Sequence, residues 1–344
     1  MKKLIMLRFS GEPKYNQNSF GNDTYLLMIK SLIKQKIIDY AYLVYTNNPI
    51  KKEQKIQITP QIEARLLNGV ETDLKKEKFE YFFLRGNYRE FPDFIKQIKF
   101  NKVLYYAADS CFEPRAINSK KIDIFFVDEK KYFKDVKKMS PNSLPWILDK
   151  PVNEKIFYPK KEKKKYDICY VSNFRPWKNH NIFLNELHKL HGYEKIKVIF
   201  VGNLFCAEFE ANGLARKYKA NVKWTGKMST QKTASYIRQS KFTIMASELD
   251  ACPRSIYESI ACDVPILINS KITGGIHLIN DLTGHKCDLY KFHKGIDFML
   301  KNYNKFNPYQ YHKERLTTEK IIKNSFIKSF KKRAGYKNKN QDQC

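Results

Sequence analysis

The chain has 344 residues, a formal net charge of +29, and 42% hydrophobic and 14% aromatic content. That length suits two domains with substantial cores, and that apolar content excludes a disordered polymer. No segment approaches the roughly 18 to 20 apolar residues of a membrane span, and the N-terminal apolar run is too short for a signal peptide.

Residues 1–8 read as a buried strand and 10–22 as a polar loop. Residues 23–36 read as a helix with Tyr25, Leu26, Ile29, Leu32 and Ile33 on one face. Residues 40–45, 81–84, 102–106 and 123–127 are further strand candidates, so the first half is expected to form one α/β unit. The loops after its strands contain Gly21 and Asn22, then residues 82–89, then residues 105–111 with Asp109. A single glycine in a polar loop is by itself only a turn signal. Residues 141–158, rich in proline, read as the join between halves.

The second half alternates again. Residues 166–173 form a strand pattern that opens onto a loop with Arg175 and Lys178, and 182–190 an amphipathic helix. Residues 195–202, 221–226 and 242–247 are strands with helical segments between them. Alternating strands and helices predict a parallel sheet covered on both faces, with ligands bound beyond the carboxyl ends of its strands. Lys178, Lys227 with Met228, and Asp250 each follow such a strand. Residues 308–333 read as a C-terminal helical region, and the rest as a polar tail.

Residues 247–269 concentrate the chemistry. Pro253 suits a first helical turn, where its missing N–H leaves nothing unpaired. Ile256, Tyr257, Ile260 and Ala261 then repeat at the spacing of a buried helical face, and Glu258 falls off that stripe. Free N–H groups from Arg254 to Tyr257, Ser255 among them, attract a phosphate, and a carboxylate further along reaches sugar hydroxyls. A sugar nucleotide offers both groups. The plainer alternative makes Asp250 a turn cap and Glu258 a solvated partner of Arg254 four residues earlier.

This window resembles the donor site of family 4 glycosyltransferases of the GT-B fold: an acid, seven residues, Glu, a small-residue helix end and a Pro-led strand. The resemblance implies that Glu258 holds the donor ribose and that Asp250, where the family more often has Glu, contacts the transferred sugar. It implies that Lys178 neutralises the diphosphate and that the backbone of Lys227 and Met228 faces the base, with Pro253, Arg254 and Ser255 lining the donor. Asn173 takes the place of the family's diphosphate Arg, and Arg175 is the nearest guanidinium. Gly21 and Asn22 fall where the family carries a glycine-rich turn near the donor phosphates. Ala108 stands where many relatives have His, with Asp109 beside it as a candidate catalytic substitute.

The implied fold is α/β, two Rossmann-like domains facing a central cleft. Residues 1–150 form the acceptor-side domain, 151–165 a linker and 166–305 the nucleotide-sugar domain. Residues 306–334 form a helical region returning to the first domain, and 335–344 a polar tail. The implied activity is transfer of a sugar from a nucleoside-diphosphate sugar to a glycan or lipid-linked acceptor. The chain has no Asp-x-Asp sequence, so neither metal nor cofactor is expected. The missing histidine favours retention, in which the leaving phosphate accepts the acceptor proton. Alternatives are a nucleotide-sugar epimerase or hydrolase of the same fold, an inactive binding homologue, and a nonspecific polyanion binder.

Seven cysteines without paired short spacing suggest reduced thiols in a cytoplasmic protein. Lysine is spread through an Asn- and Ile-rich chain, as an AT-rich genome produces, but residues 160–165 and 328–333 concentrate it. Such clusters can hold a protein on an anionic membrane surface at roughly 1 kcal/mol per cation. No pattern of a specific nucleic-acid-binding module accompanies the charge.

Overall fold

The structure is a computed structural model that describes residues 1–9, 24–46, 54–67, 72–85, 98–106, 122–204 and 208–341. The chain divides into two compact units: Met1–Pro151 with Thr318–Cys344, and Val152–Thr317. The expected sites Gly21, Asn22, Ala108 and Asp109 lie outside the described residues.

In chain order the first unit carries β1 (Lys3–Phe9), α1 (Thr24–Lys34), β2 (Tyr40–Thr46), β3 (Gln54–Thr59), β4 (Ile62–Leu67), α2 (Thr72–Lys76), β5 (Lys78–Arg85), β6 (Lys99–Tyr106), β7 (Ile124–Val127), α3 (Phe133–Met139) and β8 (Leu144–Ile147). Among the described residues these strands form one sheet in the order β3-β4-β2-β1-β5-β6-β7-β8. Only β3 runs antiparallel to its neighbour. In β1, Leu4, Ile5, Met6 and Leu7 are all buried, as a central parallel strand covered on both faces requires. Successive side chains go to opposite faces. Leu4 and Met6 pack with Leu26, Ile29 and Leu32 of α1, whereas Ile5 and Leu7 join Phe82 and Leu84 on the other side.

The hairpin β3–β4 and the strand β8 are additions to the elements expected from sequence. Charged residues interrupt the apolar signal of β4, yet Arg65 is buried, its guanidinium over the Tyr42 ring at 4.9 Å and paired with Glu63. β8 contains Pro145 and sits at the sheet edge beside β7, where a residue without an N–H is tolerated.

The second unit carries β9 (Tyr166–Val171), α4 (His180–His188), β10 (Val198–Val201), α5 (Glu208–Lys217), β11 (Val222–Trp224), α6 (Thr230–Arg238), β12 (Ser240–Met245), α7 (Arg254–Ala261), β13 (Ile266–Asn269), β14 (Gly284–Cys287), α8 (Phe292–Asn302) and α9 (Pro308–Tyr311). Its sheet has the order β11-β10-β9-β12-β13-β14, with every pair parallel. The core packs Ile168 and Tyr170 of β9 with Phe183 and Leu187 of α4, Phe200 of β10, Ile256 and Ile260 of α7 and Leu267 of β13. β9 lies between β10 and β12, so the loops that leave these three strands are neighbours.

After α9 the chain forms a π turn over His312–Leu316, then α10 (Thr318–Ile322), a second π turn over Lys323–Ile327, and α11 (Lys328–Gln341). The segment from Thr318 packs within the first unit. Ile322 and Phe326 share a core with Leu4, Phe83 and Phe126, Trp146 donates its indole N–H to the Asn324 carbonyl at 2.8 Å, and Phe330 stacks on Tyr81 at 4.9 Å. Helix α11 continues through residues read from sequence as the start of a polar tail. Among the described residues no helix is long and apolar enough to cross a membrane.

Candidate functional site

The site begins where β9 ends. Asn173 accepts a hydrogen bond on its side-chain oxygen from the Asn203 amide at 3.0 Å, and the Phe174 amide donates to the Asn203 carbonyl at 2.9 Å. The loop after β9 is thus tied to the loop after β10, and Asn173 serves as that tie. Arg175 is extended and opens a short 3-10 turn, Pro176–Lys178, with its guanidinium 6.0 Å from the Trp177 ring centroid. The turn ends at Asn179, in the left-handed region with φ 56°, where asparagine is among the residues best tolerated. The Asn179 side chain donates to the Ala246 carbonyl at 3.1 Å, and the buried Tyr170 hydroxyl donates to the Lys178 carbonyl at 2.6 Å. Two hydrogen bonds from strand ends therefore fix the backbone that carries Lys178.

The Lys178 ammonium forms an ion pair with Asp250, and both side chains are mostly buried, at 16% and 17% exposure. The two residues leave adjacent strands, β9 and β12. The Asp250 amide donates to the Thr273 hydroxyl, which in turn donates to the Asp250 carbonyl, both at 2.8 Å. Cys252 has φ 52° and marks a tight bend. A methyl group added at Gly274 would stand 2.5 Å from the Cys252 nitrogen, so the absence of a side chain there lets the two loops meet.

Helix α7 starts immediately after Pro253. Its expected apolar stripe is buried, and so is the rest of the helix from Ser255 to Ala261. Glu258, off that stripe and solvated in the plainer alternative, is only 8% exposed. The reason is tertiary: α7 is packed by α6, α9 and β13 as well as by the sheet core, and Ser259 bonds to Thr243 at 2.9 Å. Burial pushes the Glu258 carboxyl above its ordinary value, while the Arg254 guanidinium works against that shift. The Arg254 Nη2 atom lies 3.2 Å from Glu258 Oε1. The plain four-residue ion pair is thus present, with the Glu258 carboxylate buried and the Arg254 side chain 38% exposed. A carboxylate with little water access makes strong hydrogen bonds to a hydroxyl pair that reaches it.

Lys227 and Met228 follow β11. Gly226, with φ 68°, turns the chain, and its carbonyl accepts from the Gly202 amide at 3.1 Å. Lys227 is exposed and Met228 partly buried, and Ser229 caps α6 by accepting from the Lys232 amide.

The structure joins Lys178 and Asp250 directly and sets Pro253, Arg254, Ser255 and Glu258 on the helix that follows. Lys227 and Met228 are two strands away from β9 in sheet order. Tyr170, Asn179 and Thr273 hold the site and were not singled out from the sequence. Their roles come from hydrogen bonds between distant segments, which no local pattern announces. His180 was also overlooked. It opens α4 almost fully buried, and its ring lies 4.8 Å from Tyr170 and 5.0 Å from Phe174. Burial, aided by the Lys178 charge, pushes it down to about 3, so it is neutral.

Residues 152–315 match the family model of glycosyl transferases group 1, a span that covers nearly the whole second unit. HepE of Anabaena, solved with UDP, superposes with a TM-score of 0.68 at 12% identity, covering 93% of this chain and 97% of its own. Sucrose-phosphate synthase of Thermosynechococcus elongatus gives 0.68 at 11% identity, with both chains covered in full. The lipopolysaccharide outer core galactosyltransferase WaaB gives 0.67 at 11% identity, covering 98% and 100%. No curated protein sequence matches the chain. The fold is therefore GT-B. The family match makes the second unit similar to glycosyl transferases group 1, and the class it points to is a glycosyltransferase enzyme.

Proposed function

We propose that the protein moves a sugar from a nucleoside-diphosphate sugar to a glycan or lipid-linked acceptor, without a metal and with retention at the anomeric carbon. The observation that carries this reading is the contact of Lys178 with Asp250 at the ends of adjacent strands, followed at once by a helix with a buried glutamate. Glu258 accepts hydrogen bonds from the ribose hydroxyls. Lys178, with Arg175 and the N-terminal end of α7, stabilises the departing diphosphate as its charge grows. Asp250 orients the sugar. The bond from the anomeric carbon to the diphosphate oxygen breaks, the acceptor oxygen bonds to that carbon on the same face, and the acceptor proton passes to the leaving phosphate.

A nucleotide-sugar donor is supported by HepE, which was solved with UDP-glucose, and a glycan acceptor by TarM of S. aureus, solved with fondaparinux and UDP. The first histidine of the chain is His180, so a proton acceptor on the leaving group suits the residues of the first half. Exposed Lys160, Lys161 and Lys163, with exposed Lys328, Lys331 and Lys332 on α11, fit a cytoplasmic enzyme resting on anionic lipid.

The test is thermal unfolding with UDP, GDP, ADP, CMP and TDP sugars in the presence of a chelator. A ligand at about 100 times its dissociation constant adds roughly 2.7 kcal/mol. A selective upward shift is expected for one nucleotide, followed by product analysis of the anomeric configuration. A well-folded protein that responds to none of them refutes the donor site.

A further inference from the structure

We propose that Thr273 is the positioning residue for Asp250, setting how its carboxylate meets the transferred sugar; this rests on the donor-site reading above. Asp250 belongs to a short loop between β12 and α7, and its carboxylate has one partner among the described residues, the Lys178 ammonium. That ammonium ends a long, rotatable stem, and it is the group a bound diphosphate draws toward itself. Once Lys178 turns to the diphosphate, the direction of the Asp250 side chain depends on its own backbone.

Thr273 controls that backbone. Its hydroxyl accepts from the Asp250 amide and donates to the Asp250 carbonyl, each at 2.8 Å, and its own amide donates to the Glu248 carbonyl at 2.9 Å. Two residues of the loop are therefore held by one residue from the loop after β13, Asp250 through the Thr273 side chain and Glu248 through the Thr273 amide. Thr273 is itself anchored. The Ile272 amide donates to the Asn269 carbonyl at 3.1 Å, Ile272 is buried, and Asn269 donates from its side chain to the Ser247 carbonyl at 3.3 Å. Gly274 permits the close approach, since a Cβ there would stand 3.1 Å from the Asp250 oxygen and 2.5 Å from the Cys252 nitrogen. The Asp250 carbonyl keeps a second donor, the Cys252 amide at 3.0 Å. Loss of the hydroxyl thus takes the acceptor from the Asp250 N–H while the Asp250 carbonyl keeps the Cys252 amide, and the loop keeps its outline while Asp250 loses its aim.

The experiment compares wild type, Thr273→Val and Thr273→Ser by calorimetric titration with UDP and UDP-glucose, GDP and GDP-mannose, and ADP and ADP-glucose, without metal. In Thr273→Val the nucleoside diphosphate that binds wild type should keep its affinity within about twofold, while its sugar conjugate weakens about three- to tenfold, the worth of one ordinary hydrogen bond. Thr273→Ser should restore the wild-type ratio. Adding Asp250→Asn to Thr273→Val should weaken the conjugate no further than Asp250→Asn does, because both act through one carboxylate. Thr273→Ala serves in place of valine if the branched side chain unfolds the protein. An unchanged ratio, or equal weakening of both ligands, overturns the positioning role and leaves the donor site standing. A wild type that binds none of these pairs overturns the donor site and this inference with it.

Discussion

Asp250 and Glu258 sit close together in sequence, yet opposite means hold them in place. Asp250 lies on a loop whose backbone is clamped by hydrogen bonds from Thr273 and whose carboxylate is paired with a lysine from another strand end. Glu258 lies on a helix buried throughout from Ser255 onward, and its charged partner Arg254 is on the same helix. The loop is specified by a few polar contacts between distant segments, each worth about 1 kcal/mol. The helix is specified by packing. A change in the loop should therefore alter ligand discrimination more than stability, and a change in volume beneath the helix should do the reverse.

The sharpest way to break this contrast is at Gly274, where the loop is braced by backbone approach instead of hydrogen bonds. Gly274→Ala should cost about 3 kcal/mol in urea unfolding, at the upper end of overpacking effects. A near-neutral result would mean that the two loops are not tightly apposed.

Glu258→Gln keeps the side-chain volume and removes the buried charge. It should weaken nucleotide binding about tenfold by replacing a charge-assisted hydrogen bond with a neutral one. The folded carboxyl lies above its ordinary value of 4.5 because of burial, so in the folded state the proton is held more tightly than in the unfolded chain. The sign follows: this group's contribution to stability is present at pH below 4.5 and is lost as pH rises through the raised folded value. Glu258→Gln should flatten that decline, and in the wild-type protein nucleotide affinity should climb over the same window as the carboxylate forms. Unfolding and binding titrations across pH 4 to 8 check both.

The smallest effect is expected at Asp250→Asn, which frees Lys178 from its ion pair. The affinity of the bare nucleoside diphosphate should rise about twofold to threefold, the scale of a single ion pair, while the sugar conjugate weakens because the carboxylate that orients the sugar is lost. A fall in diphosphate affinity would show that Lys178 needs Asp250 to stay in place.

Much of the second unit was legible in the chain, because β9, β10, β12 and β13 are buried on both faces and read as apolar runs. β14, with the sequence Gly-His-Lys-Cys, is an edge strand and carries no such run. The hairpin β3–β4 was hidden for a related reason, since Arg65 is buried through its partners Glu63 and Tyr42 instead of through its own hydrophobicity. In the candidate site, the start of α7 at Pro253 and the residue types Lys178, Asp250 and Glu258 were readable. The burial of Glu258 was not, because helical periodicity reports one packed face and is silent about neighbours on the other.

The sequence by itself determined the alternation of strands and helices, the two-unit layout and the chemical groups that follow the strands, since these depend on local apolar period and on residue type. Tertiary structure alone decided that Lys178 meets Asp250 across 72 residues of chain, that Thr273 clamps the loop that carries Asp250, and that Glu258 is buried by the elements packed on its helix. Such contacts depend on strand order and loop approach, and a local pattern of residues carries no record of which distant segment will stand beside it.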